Sequence, residues 1–178
     1  KLHAPNWFIE NQDGSKNPHD EIDDPLKSAE VLQAHVDEGL KFARKNRLPK
    51  PIANFIPEHQ GTLKMGYFLN RAEEKKLNIK ESDFRYKGPI PQSKETAILM
   101  LADGCEAALR AMDTNASDLE AIETISKIII SRQLDGQLDD SNLSKGEIFL
   151  IKKSFLNVWK RIRHRRIQYP TTKNNTFS

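Results

Sequence analysis

Apolar residues in this chain recur at intervals of three and four, and nowhere do they settle into the alternation that a half-buried strand requires. Asp24 and Pro25 open the first long pattern, an N-cap oxygen followed by a proline in the first turn. A helix is predicted from there to about Asn46, with Leu32, Val36, Leu40 and Ala43 inward, Val31 and Phe42 flanking, and His35 beside the stripe. A short helix is predicted from Pro51 to Glu58, broken by Gly61 and leaving His59 at its end. Leu63 to Leu77 reads as another, with Met65, Phe68, Leu69 and Ala72 inward and a late solvated run of charges, Arg71, Glu73, Glu74, Lys75 and Lys76. Asn78 to Ile90 is a loop, stiffened towards its end by Pro89 and Pro91. The central helix begins at Gln92 or Ser93, and its middle, Ala97 to Ala102, is apolar throughout, which predicts burial on every side. After a break at Asp113 to Asn115, a helix from about Ser117 to Gln133 is marked by Leu119, Ile122, Ile125, Ile128 and Ile129. The last helix has Ser144 as N-cap and Glu147 completing a capping box, and continues through Ile148, Ile151, Phe155, Val158, Trp159 and Ile162. The predicted fold class is all-α, a bundle.

Composition changes this picture little. The 178 residues suffice for one domain with a real core, 37% of them hydrophobic and 30% charged. A net charge of +3 is too small to imply a nucleic-acid binder, so neither DNA nor RNA is expected as partner. The single cysteine, Cys105, excludes an internal disulfide and reads as a small core residue in a reducing cytosol. No apolar run approaches the length of a membrane span, and no signal-peptide pattern is visible. The chain opens at Lys1 without a Met, which suggests a piece of something longer.

Candidate chemistry centres on Asp103. A carboxylate in a helix expected to be buried all round needs a partner, because a lone buried charge costs several kcal/mol or more. That partner is a core Arg or Lys, a helix N-terminus, or a metal. His35 and His59, in helical and mostly apolar surroundings, suit either hydrogen-bonded core positions or ligation, and Gly39 one turn beyond His35 would make room for a ligand. The adjacent His19 and Asp20 lie in the turn sequence NPHD, where local backbone hydrogen bonding is the simpler role. Phe84-Arg85-Tyr86-Lys87-Gly88 suits either phosphate and base contacts or a loop pinned by its rings. Leu134 to Ser141 is acidic but lacks the spacing of a calcium loop. The basic end of the last helix, Lys160 to Arg166, fits a helix C-terminus or acidic lipid headgroups.

Five stretches, PQSKETAILMLADGCEAA, AHVDEGL, PEHQGT, FRYKGP and DGQLDDSNL, resemble the cytoplasmic HD domain of the seven-transmembrane HD phosphohydrolases, the PgpH group that hydrolyses cyclic di-AMP. The likeness runs from Lys1 to about Pro170 and implies an HD-domain helical bundle over 1–170, lacking its N-terminal helices, with a polar tail at 171–178. It implies a phosphodiesterase yielding linear pApA with two divalent transition-metal ions, manganese or iron, on the cytoplasmic face of the bacterial inner membrane and anchored by segments outside this chain. Carried over by motif, His35 and His59 bind one metal, and Asp103 binds the other and is catalytic. Many relatives carry two consecutive histidines where this chain has His59 and Gln60, a weaker neutral ligand. Lys1 aligns with the last letter of the family's HDIGK, so the metal doublet and an earlier ligand histidine are expected upstream. By residue type and place, Arg85 and Lys94 are expected to contact phosphate, and Tyr86 to offer a stacking surface. Two functions stay open: a metal-dependent cyclic dinucleotide phosphodiesterase, or a catalytically incomplete HD-like sensor or scaffold that binds a nucleotide without hydrolysing it.

Overall fold

Capping chemistry sets where the long helices begin. The computed structural model describes residue 7 and residues 18–113 and 115–165, so the polar tail lies outside the described residues. Among them the chain forms α1 (Pro18–Ile22), α2 (Pro25–Lys45), α3 (Lys50–Ala53), α4 (Phe55–Glu58), α5 (Gly66–Glu74), α6 (Lys94–Arg110), α7 (Asp118–Leu134) and α8 (Lys145–Arg165). Asp24 accepts the Lys27 N–H at 3.1 Å ahead of α2. Ser93, Ser117 and Ser144 each accept, at 3.2 Å, the N–H three residues on, from Thr96, Glu120 and Glu147. Each serine satisfies one of the donors orphaned at a helix start.

Two expected helices are altered for local reasons. The segment from Pro51 to Glu58 divides at Asn54 into α3 and α4. Pro57 has no N–H to give the Ala53 carbonyl, so the ladder is interrupted there. The helix expected from Leu63 starts later, at Gly66, because the residues before it pair with the loop. Met65 N–H donates to the Phe84 carbonyl at 2.8 Å, and Tyr86 N–H to the Leu63 carbonyl at 3.1 Å. This is an isolated antiparallel bridge, and no sheet forms among the described residues.

Two apolar clusters hold the bundle. Ala97, Met100, Leu101, Cys105, Ile125, Ile129, Leu138 and Ile151 join α6, α7 and α8. Ala29, Met65, Phe68, Leu69, Ala72 and Phe84 join α2, α5 and the loop after it. The expected burial of α6 on every side is corrected here. Its buried positions 97, 100, 101 and 105 form one stripe, while Ile98 and Leu99 are 37% and 39% exposed and Asp103 faces solvent. Leu119, Val158 and Ile162, also expected inward, are exposed as well. At the basic end of α8, Lys160 pairs with Asp118 at 2.5 Å and Arg163 lies over the Trp159 ring. No described helix is long and apolar enough to cross a membrane.

Candidate functional site

His35 projects from the middle of α2, and His59 caps the C-terminus of α4. Their Nε2 atoms stand 3.5 Å apart, with ring centroids 5.5 Å apart and planes at 67°. The contact depends on Gly39. A Cβ there would lie 2.8 Å from Ile56 Cγ2, so the missing side chain lets α4 close onto α2. The room expected at Gly39 for a ligand is therefore taken by Ile56, and the close approach brings the histidines together instead.

Both rings are held in one tautomer. His35 Nδ1 bonds the Leu32 carbonyl, and His59 Nδ1 bonds the carbonyls of Ile56 at 2.7 Å and Phe55 at 3.1 Å. A carbonyl only accepts, so each Nδ1 carries the proton and each neutral ring turns its lone-pair Nε2 towards the other. Metal-ligating histidines are commonly oriented this way, by donating the other ring N–H to a carbonyl. Two such nitrogens bound to one tetrahedral ion at ~2.1 Å would lie about 3.4 Å apart, so the pair fits a shared cation. No cluster of three or more His, Cys, Asp or Glu that could hold a metal forms among the described residues.

Tyr86 stands edge-on to His35, ring centroids 6.0 Å apart. Burial pushes its phenol well above the usual range, and the negative charge of Asp103 pushes it further. The loop that carries it is strapped to α2 by Gln33, which donates to the carbonyls of Asp83 at 3.0 Å and Arg85 at 2.9 Å, and by Lys87, paired with Asp37 at 3.0 Å. Asp103 is exposed on α6, close enough to act electrostatically on Tyr86 and on Arg132. It thus borders the site without the buried partner anticipated for it.

The two expected phosphate contacts are occupied by protein groups. Arg85 donates to Glu81 at 2.8 Å, to the Thr62 carbonyl at 3.0 Å and to Asp135 at 3.4 Å. Lys94 donates to Glu147 on α8 at 2.6 Å. Away from the site, His19 is buried in α1, bonded to the Trp7 carbonyl at 2.9 Å and packed on Phe68. It bonds backbone as expected, though twelve residues away rather than within its own turn.

Sequence reasoning missed two buried clamps on the turn that carries His59. Glu58, 2% exposed, accepts the Gln92 N–H at 2.8 Å and the Thr96 hydroxyl at 2.7 Å, fastening α4 to the start of α6. Gln137, 1% exposed, accepts the Thr62 N–H at 3.0 Å and donates to the Thr62 hydroxyl at 2.9 Å. Gly61 lies between them with φ of +52°, and a Cβ there would meet Gln137 Oε1 at 2.5 Å and Met100 Cε at 2.7 Å. The DGQ of DGQLDDSNL was the available signal for Gln137.

No protein-family profile matches the chain. An uncharacterized protein of Synechocystis sp. is 46% identical over 175 residues, 96% of this chain and 22% of that protein. The cyclic-di-AMP phosphodiesterase PgpH of Listeria monocytogenes is 37% identical over 174 residues, 98% of this chain and 24% of that protein. The chain thus spans about a quarter of the length of the curated relatives it matches. The crystal structure of the L. monocytogenes PgpH HD domain in complex with cyclic-di-AMP superposes with a TM-score of 0.86 at 34% identity, covering 91% of this chain and 75% of that one.

Proposed function

This chain belongs to the HD-domain family of the PgpH phosphodiesterases, and from that premise we propose that it is part of a metal-dependent phosphodiesterase acting on cyclic di-AMP to give linear pApA. The observation that carries the proposal is the His35–His59 pair, whose Nε2 atoms face each other at 3.5 Å with both Nδ1 groups anchored on carbonyls. Imidazole and carboxylate donors suit first-row ions such as manganese or iron. His35 and His59 would hold one ion, and Asp103 would serve a second. Bound ions would polarise the phosphodiester and lower the pKa of the attacking water. The chain's own residues fix the tautomer and separation of the two imidazoles and place Tyr86 beside them. The PgpH likeness further supports a place on the cytoplasmic face of the bacterial cell membrane, with the anchor in segments outside this chain.

One observation favours a second reading for the described residues taken alone. Among them no third His, Cys, Asp or Glu joins the histidine pair. Two protein ligands are fewer than a structural or catalytic transition-metal site ordinarily uses. These residues therefore support binding of a cyclic dinucleotide, as a sensor or scaffold would, better than they support turnover.

The test is to titrate the protein with cyclic di-AMP calorimetrically in the presence of manganese or iron, and to follow pApA by chromatography. Release of pApA, lost in His35→Ala and His59→Ala together with bound metal, supports hydrolysis. Tight binding without pApA supports the second reading. Neither binding nor turnover would remove both.

A further inference from the structure

We infer that Arg132 supplies the cationic contact to a phosphodiester oxygen of the ligand at this site, an inference that rests on the cyclic dinucleotide reading above. Arg132 reaches from α7 onto α6 at Gly104. A Cβ at Gly104 would lie 3.2 Å from an Arg132 terminal nitrogen and 3.3 Å from Ile128 Cγ2. Glycine within a helix costs about 1 kcal/mol relative to alanine, so its place in α6 calls for a packing reason. The guanidinium lying against the backbone one residue from Asp103 is that reason.

The state of this guanidinium is unusual. Its Nε is sealed from solvent and has no hydrogen-bond partner among the described residues. No ion pair reaches it there, and burial is the main influence lowering its pKa. A desolvated donor without a partner costs about 1–3 kcal/mol, more when charged, and such groups are few in native structures. Nearby carboxylates do not answer it. Asp135 accepts from Gln137 Nε2 at 2.9 Å and from Arg85 at 3.4 Å, and Asp103 acts on Arg132 only through its field.

The other cations near the site differ on this point. Arg85 and Lys94 hold protein carboxylates and Lys87 holds Asp37, so a ligand phosphate would have to displace an existing partner at each. Arg132 would gain one. A guanidinium offers two parallel N–H groups to phosphate oxygens and remains protonated at neutral pH even when partly buried. With its terminal nitrogens not sealed beside Asp103, it can bind the anionic backbone of a cyclic dinucleotide at the rim of the histidine pair.

The experiment is calorimetric titration of cyclic di-AMP with manganese present, on the wild-type protein and on Arg132→Gln, Arg132→Lys and Gly104→Ala, with thermal melting of each. Arg132→Gln is expected to weaken binding about ten- to a hundredfold without loss of melting temperature, since it removes an unsatisfied donor. Arg132→Lys should recover part of the affinity, because an ammonium keeps the charge and loses the planar fork. Gly104→Ala keeps the charge but shifts the guanidinium, and should weaken binding by a smaller factor. Unchanged affinity in Arg132→Gln overturns the inference and leaves the function standing. If that variant fails to fold, unchanged affinity in both Arg132→Lys and Gly104→Ala overturns it instead. Absence of binding by the wild-type protein overturns the function and the inference together.

Discussion

The cluster joining α6, α7 and α8 and the seam between α2 and α4 are both interiors, yet different forces close them. In the first, Leu101 and Ile125 are fully buried and Met100 and Cys105 nearly so, with few polar atoms among them. Apolar area removed from water holds it, at roughly 25 cal/mol per Å². Along the seam the contacts are particular instead: Gly39 under Ile56, Glu58 on Gln92 and Thr96, and the two imidazoles on backbone carbonyls. A region held by area tolerates small displacements and loses stability when truncated. A region held by directed bonds and one close approach loses geometry first. The candidate site lies in the second kind, so stability and ligand affinity should separate under mutation.

Leu101→Ala should give the largest stability effect, about 2–5 kcal/mol for a fully buried leucine. Urea unfolding checks it, and metal bound per folded molecule should stay near the wild-type value. A variant that lost metal in proportion to stability would break the contrast between the two regions. Gly39→Ala tests the other side. Its Cβ would sit 2.8 Å from Ile56 Cγ2, a branch that cannot swing away cheaply. Overpacking of this kind costs about 1–3 kcal/mol, and α4 must recede, carrying His59 from His35. Metal affinity should fall more than stability does. A normal metal titration in a destabilised Gly39→Ala protein would show that the close approach does not set the pair.

How far each region was legible from residues follows the same division. Caps read directly, because an Asp-Pro or a Ser with Glu three residues on satisfies orphan donors locally, and Asp24, Ser117 and Ser144 cap as their sequences say. The stripe of α6 was legible in its spacing, but the run Ile98-Leu99-Met100-Leu101 drew attention to apolarity instead of to period. Asp103 was read as buried for that reason. The histidine pair could be named by motif, whereas its tautomers depend on carbonyls of Leu32 and Ile56, which no side-chain pattern encodes. Gly39, Glu58, Gln137 and Arg132 matter through partners 17 to 75 residues away or across a helix face, as with Gln137 and Thr62. Long-range pairing of that kind leaves little trace in local sequence.

Gln137→Ala should cost less than either, about 1–2 kcal/mol for the Thr62 N–H and hydroxyl left to find other partners. Because Thr62 closes the turn after His59, amide exchange at 59–62 should accelerate more than exchange in α7. Uniform acceleration across the whole chain would mean that Gln137 supports the fold at large and not the seam.

The smallest effect is expected at Lys94 and Glu147, an exposed pair at 2.6 Å that ties α6 to α8 outside both regions. The Glu147 carboxyl is pulled down to about 2, first by the Lys94 ammonium and then by the backbone and hydroxyl of Ser144. A carboxylate with a lowered folded pKa adds stability above its unfolded value, and that contribution disappears as pH falls through the folded one. Here the loss runs from about 4.5 down to about 2. The pair is exposed, so solvent and salt screen it and the change in melting temperature at neutral pH should be slight. Lys94→Ala should raise the Glu147 pKa towards the ordinary carboxylate range and move the acid-side loss of stability to higher pH, as carboxyl NMR titration would record. Ser144→Ala should raise it by less. If the order were reversed, the local cap and not the tie between helices would hold Glu147, and Lys94 would be available to an anionic ligand at little cost.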